Sequence, residues 1–214
     1  LTTATIPDLT ELDKVLGCDI ICLHTPLTHD GPFPSYHLLD ASRLQGIGPD
    51  ALIINAGRGA VIDNRALLEL FQAGNQLKVA LDVWESEPGI DRNLMDFVAL
   101  ATPHIAGYSL EGKVNGTQMV FDAFIQWSGL DASNVSETAH KPPLLLQPSS
   151  VNQAILASYD VAADHQRMAE AMVEADLDQA RVAQIFDQLR KDYPVRREFS
   201  YYGIDLAVQN LAQY

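Results

Sequence analysis

Short apolar runs alternate with helical segments through the first half of this chain. The runs have the length of buried strands and cover residues 19–24, 51–55, 77–82 and 98–101. Helices are predicted near residues 41–47 and from Asn64, as the N-cap, to about Ala73, with Gly74 as the stop. Strands that alternate with helices of this length build a parallel sheet covered by helices. The pattern therefore predicts an α/β fold.

Three of these runs are followed closely by a side chain that can bind an anion or move a proton. Arg58 comes after the second run, Glu87 after the third and His104 after the fourth. Ligands of open α/β sheets bind beyond the carboxyl ends of the strands, so these side chains should share one edge. A guanidinium, a carboxylate and an imidazole gathered there can hold a carboxylate substrate and transfer its proton. The arrangement indicates an enzyme.

The glycine-rich turn that cradles a dinucleotide phosphate is missing from the sequence. No Gly-x-Gly-x-x-Gly occurs, and Gly57-Arg58-Gly59 is too short to replace it. In the doubly wound strand order 3-2-1-4-5-6, the four runs would be strands three to six, with two empty places between the first run and the second. We therefore expect a segment preceding Leu1 to supply strands one and two and the turn.

The pattern of apolar residues changes from Ser109 onward. Apolar residues recur at helical spacing to about Trp127, which predicts one long amphipathic helix. A polar, proline-bearing linker follows, then an alternating strand at 155–161, helices at 163–175 and 178–191, and a strand at 198–202. We expect a partial dinucleotide-binding domain over 1–108, the long helix and linker over 109–134, and a small α+β dimerisation domain over 135–214.

Composition excludes several classes of protein. The chain has 28 acidic and 14 basic residues and no basic stripe, which argues against binding to nucleic acid. Its apolar stretches are far shorter than the ~20 residues of a membrane span. Cys18 and Cys22 are too far apart along a strand for an unstrained disulfide, and two thiols cannot complete a zinc site. We expect both to be reduced core residues of a cytoplasmic protein.

Four motifs, in this order, carry a family resemblance. They are His24-Thr25-Pro26-Leu27, Asn55-Ala56-Gly57-Arg58-Gly59, Asp82-Val83-Trp84-Glu85-Ser86-Glu87-Pro88 and Thr102-Pro103-His104-Ile105-Ala106-Gly107. With them the chain resembles the D-isomer-specific 2-hydroxyacid dehydrogenases, well over residues 1–130 and more weakly in the tail. The resemblance implies a Rossmann-type sheet, NAD as the cofactor and a homodimer. Two stretches, 28–37 and 104–113, narrow it to members that act on a phosphorylated 2-hydroxy acid.

The resemblance also implies roles for the three site residues. Oxidation of a 2-hydroxy acid removes a hydride from C2 and a proton from the hydroxyl, and His104 is suited to take the proton. Glu87 would bond the far ring nitrogen and fix the tautomer, although Glu85 competes for this role. Arg58 would grip the substrate carboxylate through two hydrogen bonds. The alternative for His104 is a structural histidine beside a proline turn.

Further residues are assigned to cofactor and substrate by the same resemblance. NAD would be lined, mostly through backbone, by Thr25, Ala56, Gly57, Arg58 and Gly107. Asp82 would contact the nicotinamide amide, and Tyr108 and Arg58 the substrate. The alternatives are a loop-capping aspartate at position 82 and a packing tyrosine at position 108.

Other polar residues have plainer interpretations. We interpret His24, His29 and His37 as structural or exposed, because no acidic partner at ligand spacing supports a metal site. Arg196 and Arg197 are candidates for binding a substrate phosphate, with an ion pair to Glu198 or Asp192 as the alternative. Two other functions stay open: a dehydrogenase of the phosphoglycerate or glyoxylate type, and a non-catalytic, corepressor-like NAD-binding module.

Overall fold

The computed structural model describes residues 10–131, 144–146, 150–174 and 177–204. The chain divides into two compact units. The first consists of Leu1–Ile105 and Val161–Asp192, and the second of Ala106–Asp160 and Tyr193–Tyr214.

Four parallel strands form the sheet of the first unit. They are β1 (Ile20–Leu23), β2 (Leu52–Asn55), β3 (Lys78–Leu81) and β4 (Leu100–Ala101), and they neighbour one another in chain order. The predicted strands and their parallel arrangement are confirmed. The fold is the α/β Rossmann-type architecture that the alternating pattern indicated.

The predicted gap inside this sheet is wrong. Ile20 of β1 lies opposite Leu52 of β2, and the pairing continues to Leu23 opposite Asn55. Two strands that exchange backbone hydrogen bonds leave no place for others between them. The four strands are consecutive neighbours in the sheet, so counting them as strands three to six was mistaken.

Several helices of the first unit begin at aspartate caps. α1 (Leu12–Leu16) precedes β1, α2 (Ala41–Gly46) is capped by Asp40, and α4 (Arg92–Met95) by Asp91. α3 (Asn64–Gln72) is capped by Asp63, whose carboxylate accepts from the backbone N–H of Ala66 at 2.9 Å. The prediction of Asn64 as the cap is therefore wrong by one residue, because Asn64 already has helical geometry.

The core lies against one face of the sheet. Ile21, Leu23, Ile53, Val79 and Leu81 alternate inward along the strands and are buried. Cys22 lies between two inward residues and points to the opposite face, so it is exposed. Cys18 is also exposed, and both cysteines are free. Their prediction as core residues is therefore wrong.

Two helices of the tail belong to the first unit. α7 (Val161–Ala171) and α8 (Gln179–Lys191) contribute Met168, Val182 and Phe186 to its core, and Met172 directly after α7 is buried with them. The structure thus divides residues 135–214 between the units instead of keeping them as one module. The division differs because the apolar faces of these helices are buried against the first core.

The described residues of the second unit form two α-helices, a short 3-10 helix (Phe199–Tyr201) and a small sheet. The predicted long helix is α5 (Leu110–Ser128), which is capped by Ser109 and ends at Gly129, but none of its residues is buried. α6 (Val151–Ser158) replaces the strand predicted at 155–161, and β5 (Leu144–Leu146) pairs in parallel with β6 (Tyr202–Ile204). Most of the predicted linker lies outside the described residues. Among the described helices, none has the length and apolar character to cross a membrane.

Candidate active site

His104 and Glu87 are in direct contact, as the sequence predicted. Nδ1 of His104 lies 2.7 Å from Oε2 of Glu87, and both side chains are largely shielded from solvent. The second oxygen of Glu87 accepts the backbone N–H of Trp84 at 2.6 Å. A carboxylate at Nδ1 makes that nitrogen the donor, so in the neutral ring Nε2 is the nitrogen that can accept a proton.

Asp82 ties the segment that carries His104 to the end of β3. Its buried carboxylate accepts from the Thr102 hydroxyl at 2.7 Å and from the backbone N–H of Ile105 at 2.8 Å. Its carbonyl accepts the backbone N–H of His104, also at 2.7 Å. These bonds match the loop-capping alternative for Asp82. A contact with the nicotinamide stays a prediction.

Glu85 does not compete for His104. Its Oε1 lies 2.8 Å from Nε2 of His37, and its Oε2 accepts the backbone N–H of Asn64 at 3.1 Å. Both oxygens are therefore held by residues other than His104. The structure assigns the carboxylate partner of His104 to Glu87, as the family pattern favoured.

Backbone strain is concentrated around this pair. The non-glycine residues with positive φ in the described part of the chain are His37, Ser86 and His104, at 48°, 66° and 57°. This left-handed region costs an ordinary residue roughly 1–2 kcal/mol. Strained residues of this kind cluster at functional sites.

Arg58 presents an exposed guanidinium beyond the end of β2. Its Nη1 donates to the carbonyl of Gly57 at 2.8 Å, and it forms no hydrogen bond or ion pair with a carboxylate of the described residues. Buried Asn55 shapes this turn, because its side chain donates to the carbonyl of Arg58 and accepts from the N–H of Gly57. Sequence reasoning missed Asn55, although an amide closing an apolar run was a usable signal.

The turn after β2 also packs tightly on its neighbours. A Cβ at Gly57 would lie 3.1 Å from the carbonyl oxygen of Leu23, and one at Gly59 only 1.9 Å from the carbonyl carbon of Trp84. Only glycine fits at position 59. The close packing joins the Arg58 turn to the loop that carries Glu87.

The predicted cofactor residues of the first unit lie beyond β1 and β2. The hydroxyl oxygen of Thr25 is buried and has no hydrogen-bond partner among the described residues. Ala56 and Gly57 are half-buried, and a Cβ at Gly57 would crowd the backbone of the segment after β1. A bound ligand that offers a polar group could satisfy the hydroxyl of Thr25.

Gly107 and Tyr108 belong to the second unit. The ring of Tyr108 meets Tyr193 edge-on, with centroids 6.1 Å apart, and Lys113 Nζ lies 4.2 Å from its centre. These contacts fit the packing alternative for Tyr108. The predicted contacts of Tyr108 with substrate and of Gly107 with cofactor stay predictions.

The paired arginines of the tail have local partners. Arg197 Nη2 lies 2.5 Å from Oε1 of Glu111, and its guanidinium covers the ring of Tyr201. Arg196 donates to the carbonyl of Ala106 at 2.6 Å and lies over the ring of Tyr159. These contacts support the alternative that the arginines have structural partners. The ion pair of Arg197 is with Glu111, however, and not with the predicted Glu198 or Asp192.

Family models match most of the chain. Residues 2–106 match the D-isomer specific 2-hydroxyacid dehydrogenase, NAD binding domain, and residues 130–214 match a domain of unknown function (DUF3410). The chain is similar to a D-isomer specific 2-hydroxyacid dehydrogenase from Lactobacillus delbrueckii ssp. bulgaricus, solved in an NAD-complexed form. That match has a TM-score of 0.50 and 25% identity over 64% of this chain and 46% of the other.

Curated relatives support the narrower resemblance carried by residues 28–37 and 104–113, which is to erythronate-4-phosphate dehydrogenase. The enzyme of that name from Cellvibrio japonicus (strain Ueda107) is 43% identical over 98% of this chain. The one from Teredinibacter turnerae (strain ATCC 39867 / T7901) is 43% identical over 94% of it. The chain spans only 58% and 55% of these two relatives. By its motifs, its sheet and these matches, the chain belongs to the D-isomer-specific 2-hydroxyacid dehydrogenase family.

Proposed function

We propose that the full-length protein is an NAD-dependent dehydrogenase that oxidises 4-phosphoerythronate in the biosynthesis of pyridoxal 5'-phosphate. The observation that carries the proposal is the 2.7 Å contact between His104 and Glu87, at the sheet edge where Arg58 is exposed. The choice of 4-phosphoerythronate as the substrate rests on the names of the curated relatives.

Proton transfer is the task of His104. Nε2 takes the proton of the C2 hydroxyl, which leaves the ring as an imidazolium, and the negative charge of Glu87 stabilises it. Arg58 binds the substrate carboxylate as a planar fork, and this orients C2. Bound NAD would supply the hydride acceptor. Within the first unit, Thr25, Ala56, Gly57 and Asp82 are the residues that would hold it. The hydroxyl of Thr25, for which the described part of the chain offers no hydrogen-bond partner, fits that use.

Substrate choice is tested by turnover. NADH formation by the full-length protein is measured with 4-phosphoerythronate, 3-phosphoglycerate and glycolate under identical conditions. The proposal expects the highest kcat/KM with 4-phosphoerythronate. A higher kcat/KM with another acid would show that 4-phosphoerythronate is not the substrate. No turnover with any of the three acids would favour the corepressor-like alternative.

The protein is proposed to act as a cytoplasmic homodimer, with the second unit contributing to self-association. Its support is a set of large apolar side chains that are exposed in this unit, including Met119, Val120, Leu145, Leu156 and Trp127. Truncation near Asn134 is a poor test, because it would also remove α7 and α8 from the first core. Light scattering on Leu145→Lys and Leu156→Lys is preferable. A monomer in either variant supports the proposal, and an unchanged dimer in both contradicts it.

A further inference from the structure

His37 lies where segments following three neighbouring strands meet. Its backbone N–H donates to the carbonyl of Ala60 in the turn after β2, at 2.8 Å. Its ring nitrogens face Asp63, at the start of α3, and Glu85, in the loop after β3, at 3.4 and 2.8 Å. Sequence reasoning placed no acidic partner beside this histidine. Both partners come from distant parts of the chain, and these contacts fit the interpretation of His37 as a structural residue.

Glu85 is held at both its side chain and its backbone. Asn64 donates its backbone N–H to Oε2 of Glu85, and its side-chain oxygen accepts the N–H of Glu85 at 3.0 Å. His37 holds the remaining oxygen, Oε1. Glu87 lies only two residues further along, beyond Ser86 with its positive φ. The position of Glu85 therefore constrains where the carboxylate of Glu87 can lie.

The arrangement favours a histidine that bridges two carboxylates over a metal site. The donor atoms of His37, Asp63 and Glu85 lie within 4.8 Å of one another, which is close enough to raise the question of a cation. A cation requires donors that converge on one point. Here the two carboxylates face different nitrogens of one ring, so the imidazole itself separates and bridges them.

We infer that His37 is a positioning residue for the Glu87–His104 pair and acts through Glu85. The inference rests on the proposed function, in which Glu87 and His104 work together. His37 touches neither substrate nor the reacting atoms. Its ring fixes Glu85, Glu85 fixes the loop, and the loop presents Glu87 to Nδ1 of His104.

Two amide variants separate positioning from general stability. In His37→Gln the amide nitrogen can reach the place of Nε2 and still donate to Glu85. In His37→Asn the shorter side chain reaches only the place of Nδ1, beside Asp63. Arg65→Gln is the control, since Arg65 forms only an exposed pair with Glu69 on α3.

We expect His37→Asn to lower kcat in the full-length protein by about ten- to a hundredfold, the scale set by a misplacement of about 1 Å. KM for the acid should stay within about threefold of the wild-type value in both amide variants, because Arg58 is unaffected. His37→Gln should keep kcat within about threefold. Equal losses of kcat and of thermal stability in both variants would make His37 structural and overturn the inference.

A second readout needs no substrate. The Nδ1–H proton of His104, bonded to a carboxylate, should resonate far downfield in the NMR spectrum of this chain. The resonance should persist in His37→Gln and Arg65→Gln, and should shift upfield or vanish in His37→Asn. An unchanged resonance in His37→Asn would overturn the inference. If the resonances behave as expected but the wild type oxidises none of the acids, the proposed function fails and the positioning role stands.

Folding failure of His37→Asn would not leave the question open. Glu85→Gln keeps the size of the side chain and an oxygen for the N–H of Asn64, but removes the charge that faces His37. It should move the same resonance in the same direction and lower kcat without raising KM. A normal kcat and an unchanged resonance in a folded Glu85→Gln protein would again contradict the role of His37.

Discussion

The two oxygens of Glu87 have different partners, and this arrangement decides which nitrogen of His104 is free to accept a proton. Oε1 is held by the N–H of Trp84, so Oε2 alone faces Nδ1. An anionic Oε2 can only accept, and it therefore places the ring proton on Nδ1. The proposed mechanism needs this tautomer, because in it Nε2 accepts the substrate proton.

Glu87→Gln should reverse that tautomer. With its oxygen still on the N–H of Trp84, the new amide would direct NH₂ at Nδ1 and force the ring proton onto Nε2. We expect kcat to fall on the order of 10²- to 10⁴-fold in the full-length protein, with little change in thermal stability. The kcat is measured by steady-state kinetics, with Glu69→Gln on the exposed surface of α3 as the control. A kcat within about threefold of wild type would exclude Glu87 from the mechanism.

Arg58→Lys should weaken substrate binding while the positive charge is retained. Lysine offers a point charge in place of the planar fork, so one of two hydrogen bonds to the carboxylate is lost. A hydrogen bond to a charged group contributes about 1.5–3 kcal/mol, which corresponds to a KM roughly 10- to 100-fold higher. Initial rates over a range of acid concentrations measure it, with Arg65→Lys alongside. An unchanged KM would show that Arg58 does not grip the acid.

At the residue scale, the sequence supplied the chemistry but not all the neighbours. Arg58, Glu87 and His104 were identifiable because each follows a strand of a parallel sheet, where ligands bind. The role of His37 was not identifiable, because its contacts with Asp63 and Glu85 follow no spacing rule along the chain. Contacts of that kind appear only when the fold brings distant segments together.

Elements were easier to predict than their ends. The cap of α3 was misplaced because Asp63 and Asn64 are both good N-caps and adjacent, so only the backbone decides between them. The strand predicted at 155–161 failed for another reason. Ala154 and Ser158 are buried four residues apart, a helical spacing, while Ile155 between them is 46% exposed.

Gly59→Ala tests the packing between the Arg58 turn and the Glu87 loop. The added Cβ would meet the backbone of Trp84 at 1.9 Å, so the turn or the loop must move. We expect a loss of about 1–3 kcal/mol or more in the free energy of unfolding. Gly46→Ala at the end of α2 is the matched control, because its Cβ would meet nothing within 4 Å. Equal stability of the two variants in urea unfolding would contradict the packing seen here.

The contact between Glu111 and Arg197 should make the second unit sensitive to acid. Burial by itself raises the pKa of the Glu111 carboxyl. Hydrogen bonds from the backbone N–H groups of Glu198 and of Glu111 itself, and the charge of Arg197, outweigh this and hold the pKa below its ordinary value of 4.5. A lowered folded-state pKa means that the stabilisation is present above pH 4.5 and is lost as the pH falls through the lowered value.

Glu111→Gln removes that pH-dependent contribution. Thermal unfolding should show wild type more stable than the variant above pH 4.5, and the difference should shrink as the pH falls further. Glu170→Gln, on exposed α7 surface, serves as the control. A difference that does not depend on pH would mean that the charge of Glu111 contributes nothing.

At the scale of the whole molecule, the class of fold was predictable and its division into units was not. Periodicity identifies strands and helices, and their alternation gives the parallel sheet. It does not say that the apolar faces of α7 and α8 pack on the first core, since the same faces could serve a separate module. Strand order was inferred from a general scheme, and the direct pairing of β1 with β2 corrected it.

The central claim is that His104 is the proton acceptor in the oxidation of 4-phosphoerythronate, and one measurement tests it most directly. It is NADH formation by full-length wild type and His104→Gln at saturating acid and NAD. We expect clear turnover by wild type and a kcat lower on the order of 10²- to 10⁴-fold in the variant, with thermal stability preserved. A kcat for His104→Gln close to that of wild type would contradict it.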